Sequence, residues 1–522
     1  MQVIPVAFRG ERAVSAPLTI GQLNVAKWLA GSPNSPAALL DQRLPIPPGT
    51  PLPAVVAALG ALLSRHEGLR SRYTMGDPGE QRVLAAGEVV LRVLPATEKD
   101  RLADLGRAEP LDVASDPPVR FLAAGTADCI TDLVAVYSHL VVDFQALMVV
   151  HREFAALLLD PAARLDAVVQ QPVDRAHAER QPSRRRRQEQ AMRHWSRHLR
   201  AAPAHLYARP RATPGPGSGA CGMSSQAAAQ ALDHIAARTR VSRPTIVLAA
   251  WCALLHRRTG YDTCRFVMLS ANRFESDLRD FVGSLAQSTF VAVEVAGAGF
   301  DELVRRTFGA VLQAGVNGAY HVYRQNESTR AVMAERGLAP SFEPLFNSSV
   351  VDTRGFDAPP PRTPAPTDLA WADLPPTNIL LRFDLGQIDD TVVARVWTGD
   401  TGRVTPSEAR ELLLALERLL VAAAAADLDP AGVTAALGLE PIERPPGWHL
   451  IDGCWVDLAE VQRLLDDALG PGAARLSGPD LTAHLADPAL TPELAHERCL
   501  SLLPGRHAAI TPRRYVVEPH DA

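Results

Sequence analysis

Apolar residues recur along this chain with two periods that take turns. Over 55–66 (VVAALGALLSRH) they return at helical spacing, whereas the valine-rich 88–94 reads as a strand. Residues 119–123 read as a short strand and 133–137 as a buried one, with 110–118 a turn-rich link before them. The helical period resumes over 144–159, and Asp143 is placed to cap it. The same style repeats in the second half. Helices are expected over 226–237, 244–257, 300–313 and 407–425, and strands over 264–270, 289–295, 379–385 and 392–398.

Two consecutive halves that each mix strands and helices predict two similar α/β lobes. A length of 522 residues is too great for one ordinary core. The expected division is a first lobe over 1–165, a linker over 166–220, a second lobe over 221–430 and a small α/β appendage over 431–522. The linker carries a helix to residue 200 and then a Pro/Gly-rich stretch, 203–219. The proline-rich 357–376 reads as an exposed excursion.

The formal charge of −5 gives no electrostatic footprint for nucleic acid or a membrane surface, and neither is expected as a partner. The run of arginines at 184–187 reads as one solvated helix face. Lys27 and Lys99 are the only lysines, which leaves little room for Schiff-base chemistry. Six cysteines without C-x-x-C spacing read as free thiols of a reducing compartment. Residues 1–12 lack the layout of a signal peptide, and no apolar run is long enough for a bilayer, so a cytoplasmic location is expected.

Residues 137–147, Y-S-H-L-V-V-D-F-Q-A-L, carry the candidate chemistry. A buried strand delivers His139, a side chain that can carry a proton near neutral pH. Asp143 follows at the helix start. Alone, His139 is most simply a core histidine and Asp143 a cap; the surroundings change the weighing. His66, Glu67 and His151 read as helix-surface or packing residues.

The run Ser138-His139-x-x-x-Asp143-Phe144 resembles the H-H-x-x-x-D-G signature of condensation domains of non-ribosomal peptide synthesis, within the coenzyme A-dependent acyltransferase superfamily. Further matches stand in that family's order: P-L-T-I-G-Q at 17–22, L-L-S-R-H-E-G-L-R-S-R-Y at 62–73, the segment 245–259 with Tyr261-Asp262, Asn272-Arg273, and Val282-Gly283 followed by Gln287-Ser288. They cover about 17–428.

The resemblance implies two chloramphenicol-acetyltransferase-like lobes in a V-shaped pseudo-dimer, with a channel between them and His139 at its centre as base or orienting residue. An amine or alcohol would attack an acyl thioester to give an amide or ester. No cofactor or metal is expected to be bound. The acyl group would arrive on phosphopantetheine of an acyl or peptidyl carrier protein, or on coenzyme A. Asp143 would be scaffold, paired with Arg70 or Arg273. Gln287 and Ser288 would floor the channel; Asn347 and Ser349 would line it or form a polar turn. Ser138 replaces the first signature histidine, and Phe144 replaces the glycine, whose backbone freedom and close approach a phenyl group forbids. That departure keeps a second reading open: a non-catalytic condensation-like module that binds carrier proteins or recruits a tailoring enzyme.

The appendage is faintly similar to the C-terminal subdomain of adenylate-forming ligases, at 455–461 and 503–507. Arg513 and Arg514 stand where that subdomain brings a lysine, so adenylation by the tail is not expected.

Overall fold

The computed structural model describes residues 1–31, 38–160, 162–211, 217–356, 360, 362–377, 379–487 and 489–517. The chain forms two compact units. The first holds Met1–Ala191 together with Ser270–Gln287 and Gly318–Arg324; the second holds Met192–Leu269, Ser288–Asn317 and Gln325–Ala522.

In the first unit a five-stranded sheet runs in the order Gln2–Arg9, Ala86–Leu94, Val119–Gly125, Ile130–Ser138, Leu39–Leu44. Ala86–Leu94 and Val119–Gly125 are parallel, and the other neighbours are antiparallel. Leu133–Tyr137 is apolar at every position because Ile130–Ser138 is interior to the sheet and covered on both faces, with all five residues at most 2% exposed. Helices Leu52–Arg65 and Phe144–Leu159 turn their apolar stripes inward, through Leu59, Leu62 and Leu63 on one and Val150 and Phe154 on the other. Burying one such side chain contributes about 1.5–3 kcal/mol.

The second unit is built on a seven-stranded sheet. Its helix Arg243–Thr259 is apolar nearly all round and almost entirely buried, with Trp251 packed on Phe383 at 4.8 Å between ring centroids. The expected strand pair is Arg382–Ile388 against Val392–Thr398, antiparallel. The described residues of the expected excursion over 357–376 are exposed or half-buried, as read, but the interval also holds a strand. Residues 357–359 and 361 lie outside the described residues, but Asp368–Asp373 is an edge strand paired with Gly219–Ser225. Proline is compatible with the approach to an edge, which explains why composition hid it. Helix Val322–Arg336 was not legible, because its polar sequence carries almost no apolar stripe.

Residues beyond 430 add a hairpin, Trp448–Ile451 with Cys454–Asp457, and a three-stranded sheet covered by helices Leu458–Leu469 and Pro492–Ser501. Their core of Val461, Leu464, Leu465, Leu481, Cys499 and Leu503 also takes in Ala204 and Leu338 of the same unit. Trp455 donates through Nε1 to the Thr259 carbonyl at 3.1 Å, and the Arg444 guanidinium lies 4.2 Å from the centre of its ring. The six cysteines are unpaired, five of them buried. Among the described residues no helix is long and apolar enough to cross a membrane.

Candidate active site around His139

The strand Ile130–Ser138 ends in a tight loop. Ser138 donates its amide to Pro118 and His139 to Ala38, and the Val141 amide returns to the Ser138 carbonyl. Ser138 is buried, and its hydroxyl accepts from the Leu140 amide at 3.3 Å. The loop thus turns the chain from the sheet into helix Phe144–Leu159 and leaves His139 half-buried at the turn.

The imidazole is held by its Nδ1 atom, 2.9 Å from the Val142 carbonyl. A carbonyl only accepts, so Nδ1 carries the proton in the neutral ring and Nε2 carries the lone pair. Among the described residues no hydrogen bond engages Nε2. The indole of Trp28 stands edge-on to the ring, 6.0 Å between centroids at 76°.

Asp143 does not share this freedom. Its backbone is extended and Oδ1 accepts from the Ala146 amide at 2.9 Å, a helix cap. Oδ2 accepts from Arg273 Nη1 at 2.8 Å and from the amides of Leu285 at 2.9 Å and Ala286 at 3.2 Å. With 2% exposure and both oxygens engaged, this carboxylate binds the protein to itself. Arg273 also donates through Nη1 to the Ala271 carbonyl and through Nη2 to the carbonyls of Phe281 and Gly283. The strap Ser270–Gln287, which comes from the second half of the sequence, is fastened to the histidine loop by this one carboxylate.

Of the two arginines offered for Asp143, Arg70 is not its partner. Arg70 is buried beside Glu67 at 3.6 Å and donates to the carbonyls of Arg12 and Leu84, against Gly10. Local spacing explains this: Arg70 follows Glu67 within one short helical turn. Of the surface and packing roles expected for Glu67 it has the second, as a buried partner of Arg12, with Nε to Oε1 at 2.5 Å. His66 is buried with Nε2 2.6 Å from Glu153.

Phe144 is the first residue of the helix and is 41% exposed. Gln287 is buried, donating to the Tyr320 carbonyl at 2.9 Å and accepting from its amide at 3.4 Å, so it pins the segment Gly318–Arg324. Ser288, Asn347 and Ser349 belong to the second unit. Asn347 lies in the strand Leu345–Ser348 opposite Asp384, and the Ser349 amide donates to the Leu385 carbonyl at 3.0 Å. Trp28 and Asn272 were missed as site residues. Asn272 adopts φ 53° and ties the carbonyls of Leu285 and Gly318 at 2.9 and 3.1 Å; its place beside Arg273 in the motif was the available signal. A cleft of about 420 Å³ in the first unit, lined by Ile20, Leu23, Asp77, Arg180 and Arg324 among others, includes none of the signature residues.

Residues 42–359 match the family model of the Condensation domain. The phosphinothricin tripeptide synthetase PhsC of Streptomyces viridochromogenes is 28% identical over 326 residues, which are 58% of this chain and 30% of that protein. This chain therefore spans less than a third of that relative's length. Two solved structures share the fold at 19% identity. The X-domain from teicoplanin biosynthesis has a TM-score of 0.61 over 83% of this chain and 99% of that one. The first condensation domain of the calcium-dependent antibiotic synthetase has a TM-score of 0.59 over 81% and 98%. The family match stops short of the appendage, whose reading rests on its own residues. Over more than half its length, and through the histidine loop and the strap that Asp143 fastens to it, this chain belongs to the condensation-domain family, with non-ribosomal peptide synthetases as its relatives.

Proposed function

We propose that this condensation domain is catalytic, joining an acyl thioester to an amine or alcohol. The observation that carries the reading is the fixed tautomer of His139: Nδ1 is committed to Val142, and the lone pair of Nε2 has no protein partner among the described residues. In the proposed step the nucleophile's N–H or O–H gives its proton to Nε2 as its N or O bonds to the acyl carbon. The C–S bond then breaks, and the departing thiolate recovers the proton as a thiol. Proton transfer by a placed side chain of this kind contributes about 10²- to 10⁴-fold. Asp143 takes no part in it, since both its oxygens are spent.

The donor would be carried on phosphopantetheine of an acyl or peptidyl carrier protein or on coenzyme A, and the acceptor is a small amine or alcohol. The test is mass-spectrometric detection of the condensed product from carrier- and coenzyme A-bound acyl donors with amine and alcohol acceptors. Product that requires His139 supports the reading. The second reading, a module that binds carrier proteins or recruits another enzyme, draws on Phe144, whose side chain occupies the helix start where the family signature has glycine. Carrier binding without any product would favour it.

A further inference from the structure

Trp28 lies in none of the stretches that resemble the family, yet its ring is the aromatic partner the structure gives to His139. We infer that Trp28 is a positioning residue for His139, and this rests on the reading of that histidine as the base. An imidazole turned over about its terminal torsion exchanges Nδ1 with Cδ2 and Nε2 with Cε1, which breaks the bond to Val142, moves the lone pair of Nε2 from its place and frees the ring to change tautomer. One hydrogen bond, from Nδ1 to Val142, opposes the turn. The indole, edge-on at 76°, is the second point of hold, in a geometry aromatic pairs favour.

The helix that carries the indole is well anchored at its start. This helix, Ile20–Gly31, starts with the Ile20 amide donating to the buried Glu179 carboxylate at 2.8 Å. Gly21 lies so close to the strap that an added Cβ would meet the Ser284 carbonyl oxygen at 2.3 Å and the Leu285 Cα at 2.8 Å. Asp143 grips that same backbone through the Leu285 amide. Histidine loop and tryptophan helix are thus both referenced to residues 284–285, which fixes the distance between the two rings. Trp28 remains 37% exposed, so filling the core is not its main work.

The test compares wild type with Trp28→Phe, Trp28→Leu and Trp28→Ala. Histidine-selective ¹⁵N spectra, with the His139 signals assigned by their loss in His139→Ala, report the tautomer without need of activity. The wild type should show protonated Nδ1 and unprotonated Nε2. Trp28→Ala and Trp28→Leu should show averaging toward the other tautomer, and transfer kcat should fall by about two- to thirteenfold, the span an aromatic pair's contribution converts to, with KM unchanged. Trp28→Phe should restore most of both. Unchanged His139 resonances in Trp28→Ala and Trp28→Leu would overturn the inference. Undiminished transfer in His139→Ala would instead overturn the base assignment and leave the spectra to decide the role of Trp28.

Discussion

Replacing Asp143 by alanine removes in one step the helix cap, the partner of Arg273 and the acceptor for two strap amides. Breaking a buried ion pair by deleting one member costs about 3–5 kcal/mol, because the other charge is left uncompensated. The cap accounts for about 1 kcal/mol and overlaps with that figure. The strap's own core is small, with Leu278, Phe281 and Leu285 as its buried apolar cluster. The loss should therefore appear first as local opening of the strap rather than as unfolding of the whole chain. Hydrogen exchange followed by mass spectrometry on peptides covering 270–287 measures it, with the sheet peptides 119–138 as an internal standard. Opening easier by about 3 kcal/mol is roughly a hundredfold faster exchange at Leu285 and Ala286. Asp143→Asn should be nearly as damaging. One carboxamide oxygen can serve the cap or the strap, while its NH₂ would face Arg273 or the amides donor to donor. Strap exchange within twofold of wild type in both variants would refute the reasoning, since the carboxylate would then not be what fastens the strap.

Phe144→Gly should raise kcat/KM for bulky acyl donors more than for acetyl, because it removes a 41%-exposed phenyl group at the helix start; competition between donor thioesters in one mixture measures the ratio. Burial alone would push the Glu153 carboxyl up, but the hydrogen bond and charge of His66 and the guanidinium of Arg65 outweigh it and hold it below its ordinary value of 4.5. Its ionised form thus stabilises the fold above that value, and the contribution is lost as pH falls through the lower folded value. Urea midpoints should place Glu153→Gln below wild type at pH 7, with the gap closing below about pH 4.5. Burial, then His205, Arg403 and Arg211, lowers the His507 pKa to about 3. Between its ordinary 6.5 and that value the unfolded chain takes a proton the fold refuses, so stability falls as the solution is acidified. His507→Phe should flatten this fall in urea midpoints between pH 7 and 5.

The sequence made the fold around His139 legible because both elements there obey a single local rule. The strand before it is apolar at every position over 133–137, and the helix after it begins at a capping aspartate and keeps a helical stripe. The match of Asn272-Arg273 to a family motif placed Arg273 in the right company, but could not separate it from Arg70. That choice is made by tertiary packing across some 130 residues, which no spacing records. Trp28 was out of reach for the same reason, since nothing in its helix marks which ring it will meet. For Glu67 and His66 the sequence left surface and packing roles both open, because a charged residue beside a helix end looks alike in either until its buried partner is known; burial decides for packing. Asp368–Asp373 was hidden by the prolines around it, although its alternation is that of an edge strand.

The most direct measurement is the single-turnover rate of acyl transfer by His139→Ala, with its fold checked by circular dichroism. Loss of the proton acceptor at Nε2 should lower that rate by about 10²- to 10⁴-fold while carrier binding persists. A rate within threefold of wild type would contradict the account.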